Sequence, residues 1–359
     1  MGNKKFFILN MNPGYDQWHL ICRKPAAENV YRSDEVLRAP SGKGLNTARL
    51  LHRVGYEDYV CINILGGGTG RLISELARCE GLHCREYPIQ DESRINTCVT
   101  LEYGQKTISY NAPGPVMSGK EAEGFTRFLC SCISQEEQKS MGEGRPAALE
   151  KRHIVPGGMP LIEGKVPESP GKEKTGLVIS GAPCRGISLE WFQDILGEAA
   201  LGGQELFVDI SGEWLKEAVE FPLQLLKVNR EEFKEVFHVD AFLFTEDLKR
   251  FKNGHGIENL IVTDGKNGCI ACGSQNTYIW SRIEGMTGGC YAVGSGDSFL
   301  GGYLACYGRG LDLKTCVEYG NACGLANTFQ LTPAMINKED VEGLLQYVRT
   351  ETVGGRGHI

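Results

Sequence analysis

Short apolar runs alternate along the chain with segments in which apolar residues recur every three or four positions. The apolar runs predict strands over residues 6–11, 60–65, 177–180, 206–210, 225–228 and 260–263. The longer spacing predicts amphipathic helices on two stripes, one formed by Leu45, Ala48, Leu51 and Val54 and one by Phe299, Tyr303 and Tyr307. Such alternation is typical of an α/β fold with a mostly parallel central sheet and helices on both faces.

Two consecutive strand-like segments interrupt this alternation. Residues 96–103 and 106–111 are separated by a turn at Gly104, which predicts a β-hairpin. A hairpin inside an α/β chain could form a small sheet that projects from the main one.

Residues 135–175 differ in composition from the rest of the chain. They contain five prolines, six glycines, seven acidic and seven basic residues, and no aromatic residue. A segment of this composition buries too little apolar surface to offset the entropy of ordering it. We therefore expect a flexible surface insertion there.

Composition and charge narrow the class of protein. Of the 359 residues, 41% are hydrophobic and 23% charged, which is ordinary globular usage. The net charge of −7 provides no general attraction to nucleic acid or to an anionic membrane, so we expect neither as a partner. No apolar run reaches the roughly 18 residues of a spanning helix, and we expect a cytoplasmic protein.

A glycine-rich turn, Gly294-Ser295-Gly296-Asp297, precedes the second helical stripe. Its backbone N–H groups can converge at a helix N-terminus, where an anion such as phosphate is stabilised. Because a carboxylate would repel that anion, Asp297 needs another task, and general base is the obvious one. The alternative is that Asp297 only caps the helix.

A second glycine-rich turn, residues 41–46, precedes the first helical stripe and adds Lys43 and Asn46. It is not a P-loop, because Gly44 follows Lys43 where that motif requires Ser or Thr. Two such turns in one chain suggest two ligands that carry phosphate groups or many hydroxyls.

Five motifs in register resemble those of the ribokinase-like sugar kinases of the phosphofructokinase B type, in particular the branch of 1-phosphofructokinase and tagatose-6-phosphate kinase. The motifs are Asn12-Pro13-x-x-Asp16, Gly42-Lys43-Gly44-x-Asn46, Ser93-Arg94-x-Asn96, Asn229-x-x-Glu232 and Gly294-x-Gly296-Asp297. The resemblance implies a three-layer α/β/α fold with a small β-sheet lid. The whole of 1–359 would be one kinase domain, with lid strands from about 11–38 and 93–112.

The resemblance also implies that the chain transfers the γ-phosphoryl group of ATP to a sugar hydroxyl. Asp297 would be the catalytic base, and the backbone of Gly294, Ser295 and Gly296 would help form the anion hole. Asn229 and Glu232 match the motif that organises Mg²⁺ and the phosphates, with Glu232 acting on the metal indirectly. The nucleotide pocket would include Lys227, Thr263, Gly265 and Gly268, although the two glycines could simply serve a β-turn.

The substrate side follows from the same resemblance. Asp16, Gly42, Asn46 and Asn96 match residues around the sugar, and Lys43 and Arg94 match the cations that hold a phosphate already on it. The chain departs from the branch at Ala182, where a serine hydroxyl is usual. We hypothesise that the nearby Arg185 compensates for that hydroxyl.

The pair of cations favours a sugar phosphate over a free sugar. The resemblance implies that this is a ketohexose phosphate, namely fructose 1-phosphate, tagatose 6-phosphate or fructose 6-phosphate. The alternatives are a kinase of an unphosphorylated sugar or nucleoside, and a regulator that binds sugar phosphate without turnover. The resemblance further implies a homodimer that forms through the lid.

Overall fold

The computed structural model describes residues 2–24, 30–104, 106–140, 175–243, 245–274 and 277–353. Its strands are β1 (Phe6–Asn10), β2 (Gly14–Ile21), β3 (Glu35–Ser41), β4 (Tyr59–Gly66), β5 (Cys84–Ile89), β6 (Arg94–Leu101), β7 (Lys106–Tyr110), β8 (Gly176–Ser180), β9 (Glu205–Asp209), β10 (Leu223–Asn229), β11 (Ile257–Thr263), β12 (Cys269–Cys272), β13 (Tyr278–Ile283) and β14 (Val348–Val353). Its α-helices are α1 (Lys43–Arg53), α2 (Gly67–Cys79), α3 (Gly119–Ser140), α4 (Leu189–Leu201), α5 (Glu213–Ala218), α6 (Arg230–Phe237), α7 (Thr245–Gly254), α8 (Ser295–Gly308), α9 (Leu313–Asn327) and α10 (Lys338–Leu344).

The main sheet has ten strands in the order β14-β13-β12-β11-β10-β9-β8-β1-β4-β5. The seven strands from β11 to β5 in this order are parallel to one another, whereas β12, β13 and β14 each pair antiparallel with a neighbour. The predicted α/β class with a mostly parallel sheet is confirmed. All six predicted strands are present, and their ends move by at most three residues.

Both faces of the main sheet are buried, which produces two cores. In β1, Phe7 and Leu9 pack into a core shared with α3 to α7, while Phe6 and Ile8 pack into a core shared with α1, α2 and α8 to α10. Because side chains alternate along a strand, an uninterrupted apolar strand is expected where helices cover both faces. The result is a three-layer α/β/α arrangement.

A second sheet of four strands has the order β3-β2-β6-β7. The predicted hairpin is confirmed within it, since β6 and β7 pair antiparallel across a 3₁₀ turn at Glu102–Gly104. The face of this sheet that carries Trp18 is buried. Ile95 and Tyr110, on the opposite face, are 48% and 62% exposed.

The chain joins the two sheets at the carboxyl edge of the main one. It leaves β1 at Asn10 for β2, and it returns from β3 at Ser41 directly into α1. The carboxyl ends of parallel strands are where ligands bind in open α/β sheets.

Two sequence expectations concern other parts of the chain. The segment 135–175, expected to be an insertion, begins as helix, because α3 continues to Ser140, and residues 141–174 lie outside the described residues. Within the described ranges, no helix combines the length and apolarity needed to cross a membrane.

Candidate active site

Asp297 lies in the first turn of α8, immediately after the sharp turn that starts the helix. Gly294 is the N-cap and has a φ of +83°, a left-handed conformation that favours glycine. A Cβ at Gly294 would also overlap the ring of Pro333. The turn therefore needs glycine both for its backbone conformation and for its packing.

The first turn of α8 leaves backbone donors available. The Ser298 N–H donates to Gly294 O at 2.9 Å, and the Ser295 N–H donates to Ala292 O at 3.2 Å. The N–H groups of Gly296 and Asp297 have no acceptor among the described residues, as expected at a helix start. Those two groups and the helix dipole can stabilise an anion.

Asn327 braces this turn and was not anticipated from the sequence. Its buried amide donates to Val293 O at 2.8 Å and to Ser295 Oγ at 3.1 Å, and its Oδ1 accepts from Ser298 Oγ and the Ala334 N–H. Because both ends of the amide are satisfied, Asn327 rigidifies the backbone that carries the free N–H groups.

The Asp297 carboxylate is only 7% exposed. Asn46, at the start of α1, donates from Nδ2 to Asp297 Oδ2 at 2.8 Å, across 251 residues of sequence. Burial raises the pKa of Asp297 to about 6, with Lys43 opposing the rise and Asp209 adding to it. A carboxyl group with a pKa close to neutrality is suited to accept a proton from a hydroxyl group.

Asp209 was not anticipated as a site residue, although it lies in the predicted strand 206–210, and it is the last residue of β9, at the ligand-binding edge. It is 3% exposed and accepts from Lys227 Nζ at 3.0 Å and from Lys43 Nζ at 3.4 Å. Burial opposes its ionisation, but the two ammonium groups hold the pKa of Asp209 below its usual value. The Asp209 charge in turn raises the pKa of Lys43.

The two lysines differ in their surroundings. The Lys227 side chain is 4% exposed and lies against the first turn of α8. Its Nζ is 3.3 Å from where a Cβ on Gly296 would be. The Lys43 side chain is 39% exposed, which leaves it accessible to a ligand from solvent.

The second sheet contributes a polar group of its own. Asp16 and Asn96 are register partners on β2 and β6, and Asn96 Nδ2 donates to Asp16 Oδ1 at 2.7 Å. Arg94 donates to the backbone oxygens of Asn12 and Ala112 at 2.9 and 3.3 Å. Arg94 Nε and Asn12 Oδ1 are buried and have no hydrogen-bond partner among the described residues, so both retain polar capacity for a ligand.

Arg185 lies beside this group, on the loop after β8. Its guanidinium donates through Nε and Nη2 to Gly114 O at 3.1 and 2.8 Å. Its backbone also bonds to Pro115 and Met117, so Arg185 ties the loop after β8 to the segment after β7.

Asn229 and Glu232 stand at the start of α6. Asn229 caps the helix by accepting from the Glu232 N–H at 2.8 Å, and the Glu232 carboxylate raises the pKa of Lys43. Within the described ranges, no three His, Cys, Asp or Glu side chains converge as a metal cage. One carboxylate near a phosphate site nevertheless suits Mg²⁺, which usually keeps several waters and shares phosphate oxygens.

Thr263, Gly265 and Gly268 follow at the end of β11, whose Thr263 pairs with Asn229 of β10. Gly268 has a φ of +85°, and a Cβ there would overlap Ser281 O, which supports the turn role that the sequence left open. No close approach limits Gly265. Arg230, unanticipated from the sequence, fixes this corner by pairing with Asp240 and Asp264, each at 2.9 Å.

Six of the predicted residues thus fall into three groups held by direct contacts. Direct contacts join Asn46 to Asp297, Lys43 to Lys227 through Asp209, and Asp16 to Asn96. Gly42 caps α1 directly before Lys43. Arg94 and Arg185, which the sequence presents alike, differ in the structure: in the part of the chain that is described, Arg94 Nε has no partner, whereas the Arg185 guanidinium donates to Gly114 O.

A buried carboxylate beside a helix N-terminus and two ammonium groups places a proton acceptor next to donors for a phosphate, which are the parts that phosphoryl transfer requires. The chain belongs to the pfkB family of carbohydrate kinases, whose model matches residues 13–123 and 163–333. The predicted family resemblance and the predicted ATP-dependent carbohydrate kinase are therefore confirmed.

Individual relatives match over nearly the whole chain. A 1-phosphofructokinase of Bacillus subtilis (strain 168) is 26% identical over 347 residues, which cover 96% of this chain and 98% of that protein. A possible 1-phosphofructokinase of Thermotoga maritima is similar in structure, with a TM-score of 0.78 and 18% identity over 98% and 100% of the two chains. Phosphofructokinase-2 of Escherichia coli in complex with fructose-6-phosphate has a TM-score of 0.75 and 20% identity over 96% and 99%.

Proposed function

We propose that the protein is a phosphosugar kinase that transfers the γ-phosphoryl group of ATP to a hydroxyl of a ketohexose phosphate. The observation that carries this proposal is the position of the buried Asp297 carboxylate. It lies next to two N–H groups that have no acceptor within the described ranges and next to the Lys43–Asp209–Lys227 cluster. Phosphoryl transfer requires little more than a positioned hydroxyl, a proton acceptor and stabilisation of the moving charge.

The reaction follows from this geometry. Asn46 occupies Oδ2 of Asp297, which leaves Oδ1 to accept the proton of the substrate hydroxyl. The hydroxyl oxygen forms a bond to the γ-phosphorus as the bond from that phosphorus to the β-phosphate oxygen breaks, and ADP leaves with that oxygen. The N–H groups of Gly296 and Asp297 and the Lys227 ammonium stabilise the charge on the transferred group.

The nucleotide is proposed to lie along the ends of β10 and β11, near Asn229, Thr263 and Gly265. Mg²⁺ would be held near Glu232 and Asn229, mainly through water and phosphate oxygens. When bound, Mg²⁺ supplies positive charge to the phosphate oxygens of ATP.

The sugar phosphate is proposed to lie between α1 and the second sheet. Asp16 and Asn96 would bind sugar hydroxyls, and Lys43 and Arg94 would hold the phosphate already present. The unpaired Arg94 Nε supports this role, because a buried donor without a partner is costly unless a ligand pairs with it. The B. subtilis 1-phosphofructokinase and the fructose-6-phosphate complex of the E. coli enzyme support the ketohexose class.

Arg185 is proposed to replace the hydroxyl absent at Ala182. To do so, the Arg185 guanidinium would have to donate to the substrate phosphate as well as to Gly114 O. An Arg185→Ala variant with an unchanged KM for every sugar phosphate would contradict this role.

An arginine variant tests the phosphosugar preference. In Arg94→Gln, we expect kcat/KM for the preferred sugar phosphate to fall roughly 10- to 100-fold, since a charge-assisted bond to the phosphate is lost. Activity on unphosphorylated sugars should not change. The control is Arg127→Gln, an exposed arginine in α3, which should behave like the wild type. An unchanged kcat/KM in Arg94→Gln would favour a kinase of unphosphorylated sugars or nucleosides.

We further propose a single kinase domain with the four-stranded sheet as its lid, and a cytoplasmic homodimer that forms through that lid. The exposed Ile95 and Tyr110 support an interface on the outer face of the sheet. Sedimentation with ligands present should detect a dimer at micromolar concentration, and monomer alone would contradict it.

A further inference from the structure

Arg49 lies in α1, one helical turn after Asn46, and is 1% exposed. All five of its N–H donors have acceptors. Nε and Nη2 donate to the two Glu80 oxygens at 2.6 and 3.2 Å, Nη2 also to Pro40 O, and Nη1 to Asn46 Oδ1 at 3.0 Å and Pro333 O at 3.1 Å. A guanidinium held in this way has one orientation.

The bond to Asn46 fixes which end of that amide faces Asp297. Arginine can only donate hydrogen bonds, so the Asn46 oxygen must face Arg49. The Asn46 NH₂ group then faces Asp297, to which it donates at 2.8 Å. If the amide were reversed, its oxygen would face a carboxylate and its NH₂ group would face a cation.

The hydrogen bond from Arg49 to Pro333 O links Arg49 to the turn that precedes Asp297. Pro333 packs against Gly294, the N-cap of the helix that carries Asp297. Arg49 therefore contacts the amide that bonds Asp297 and also the segment that supports the turn before it. Glu80, the C-cap of α2, anchors Arg49 through a bidentate pair.

We propose that Arg49 is a positioning residue of the phosphoryl-transfer site, which orients Asn46 so that Asp297 receives a hydrogen bond as a charged base. The inference rests on the proposed function, in which Asp297 takes the substrate proton. Glu80 takes part by holding the guanidinium in place.

The consequence concerns the proton affinity of Asp297. The charged groups that face it are Lys43 on α1, Asp209 on β9 and Lys227 on β10, and Arg49 changes none of them directly. A hydrogen bond from Asn46 favours the charged form of Asp297. If the Asn46 amide loses its orientation, the pKa of Asp297 should therefore rise. We expect a rise of about one unit, which is roughly a tenfold change in proton affinity.

The test replaces Arg49 and Glu80 together, as Arg49→Met/Glu80→Gln, so that no carboxylate is left unpaired. The control is Arg53→Met, on the same helix, which bonds to Ile336 O and Asn337 but not to Asn46. Two quantities are measured: the acid limb of the pH profile of kcat with MgATP and the preferred sugar phosphate, and the ¹³C NMR titration of the Asp297 carboxyl without ligands. We expect both to move about one unit upward in the double variant with little change in KM, and neither to move in the control.

Each outcome decides the inference. An acid limb and a carboxyl titration that match the wild type in the folded double variant would overturn it. If the double variant does not fold, Arg49→Gln/Glu80→Gln replaces it, because a glutamine amide can both donate and accept and therefore no longer fixes which end of Asn46 faces Asp297. An unshifted Asp297 titration in that variant overturns the inference equally. Full activity of Asp297→Asn would instead refute the proposed base, while the NMR titration would still report on Arg49.

Discussion

The burial of Asp297 predicts that replacing this residue makes the protein more stable as it makes it less active. In the folded chain its pKa rises from 3.8 to about 6, so folding disfavours the charged form. A shift of about two units corresponds to about 3 kcal/mol of unfolding free energy, at 1.36 kcal/mol per unit. An asparagine side chain in this place would keep the shape of the protonated carboxyl without its charge.

The sign of the effect fixes its pH dependence. Because the folded state binds the extra proton, the wild type loses stability as the pH rises from about 4 to about 6, and the loss persists above that range. We therefore expect Asp297→Asn to be more stable than the wild type by up to about 3 kcal/mol at pH 8, with the gain fading as the pH falls from about 6 to about 4.

Urea unfolding of both proteins at pH 8, 7, 6, 5 and 4 measures this difference. The control is Asp312→Asn at the N-cap of α9, where the Thr315 N–H lowers the pKa of an accessible carboxylate, so no stabilisation is expected. A gain in Asp297→Asn that does not vary with pH, or a loss of stability at pH 8, would refute the reasoning.

Two further substitutions test the frame around Asp297. Gly294→Ala should lose about 1–3 kcal/mol of stability and most of kcat, because the φ of Gly294 is left-handed and Pro333 blocks a Cβ there. The control is Gly310→Ala, at a φ of +77° with no described atom near a Cβ, which should lose about 1 kcal/mol of stability and keep kcat. Equal kcat values for the two variants would contradict the packing argument. Asp209→Asn should cost about 3–5 kcal/mol in urea unfolding, because it leaves the buried Lys227 without a counterion, and a loss below about 1 kcal/mol would contradict the proposed role of the cluster.

The sequence predicts well those features that repeat locally. The apolar strands of the parallel sheet and the stripe on α1 follow directly from side-chain periodicity, and glycine-rich turns indicate where helices begin. The strands β12 to β14 were not predicted. β12 is buried but has only four residues, too few to show a clear period, and β13 and β14 mix apolar with polar residues. The motifs that carried the family resemblance are short and contiguous, so they too could be read without a structure.

Contacts between distant segments could not be predicted in this way. Asn46 and Asp297 are 251 residues apart, and only the fold brings their side chains within 2.8 Å. Asp209 and Arg49 belong to no motif in the sequence, and their importance arises from what surrounds them once the sheet and α1 are packed. The engagement of Arg185 by Gly114 likewise depends on two loops meeting after folding.

The central claim is that Asp297 serves phosphoryl transfer to a ketohexose phosphate. The most direct measurement is ADP release from MgATP with fructose 1-phosphate, fructose 6-phosphate, tagatose 6-phosphate, fructose, ribose and adenosine, for the wild type and for Asp297→Asn. We predict turnover with a sugar phosphate and its loss by a factor of about 10³ or more in the variant, with calorimetric binding of that sugar phosphate retained. Full turnover in Asp297→Asn, or binding without turnover across the whole panel, would contradict the account.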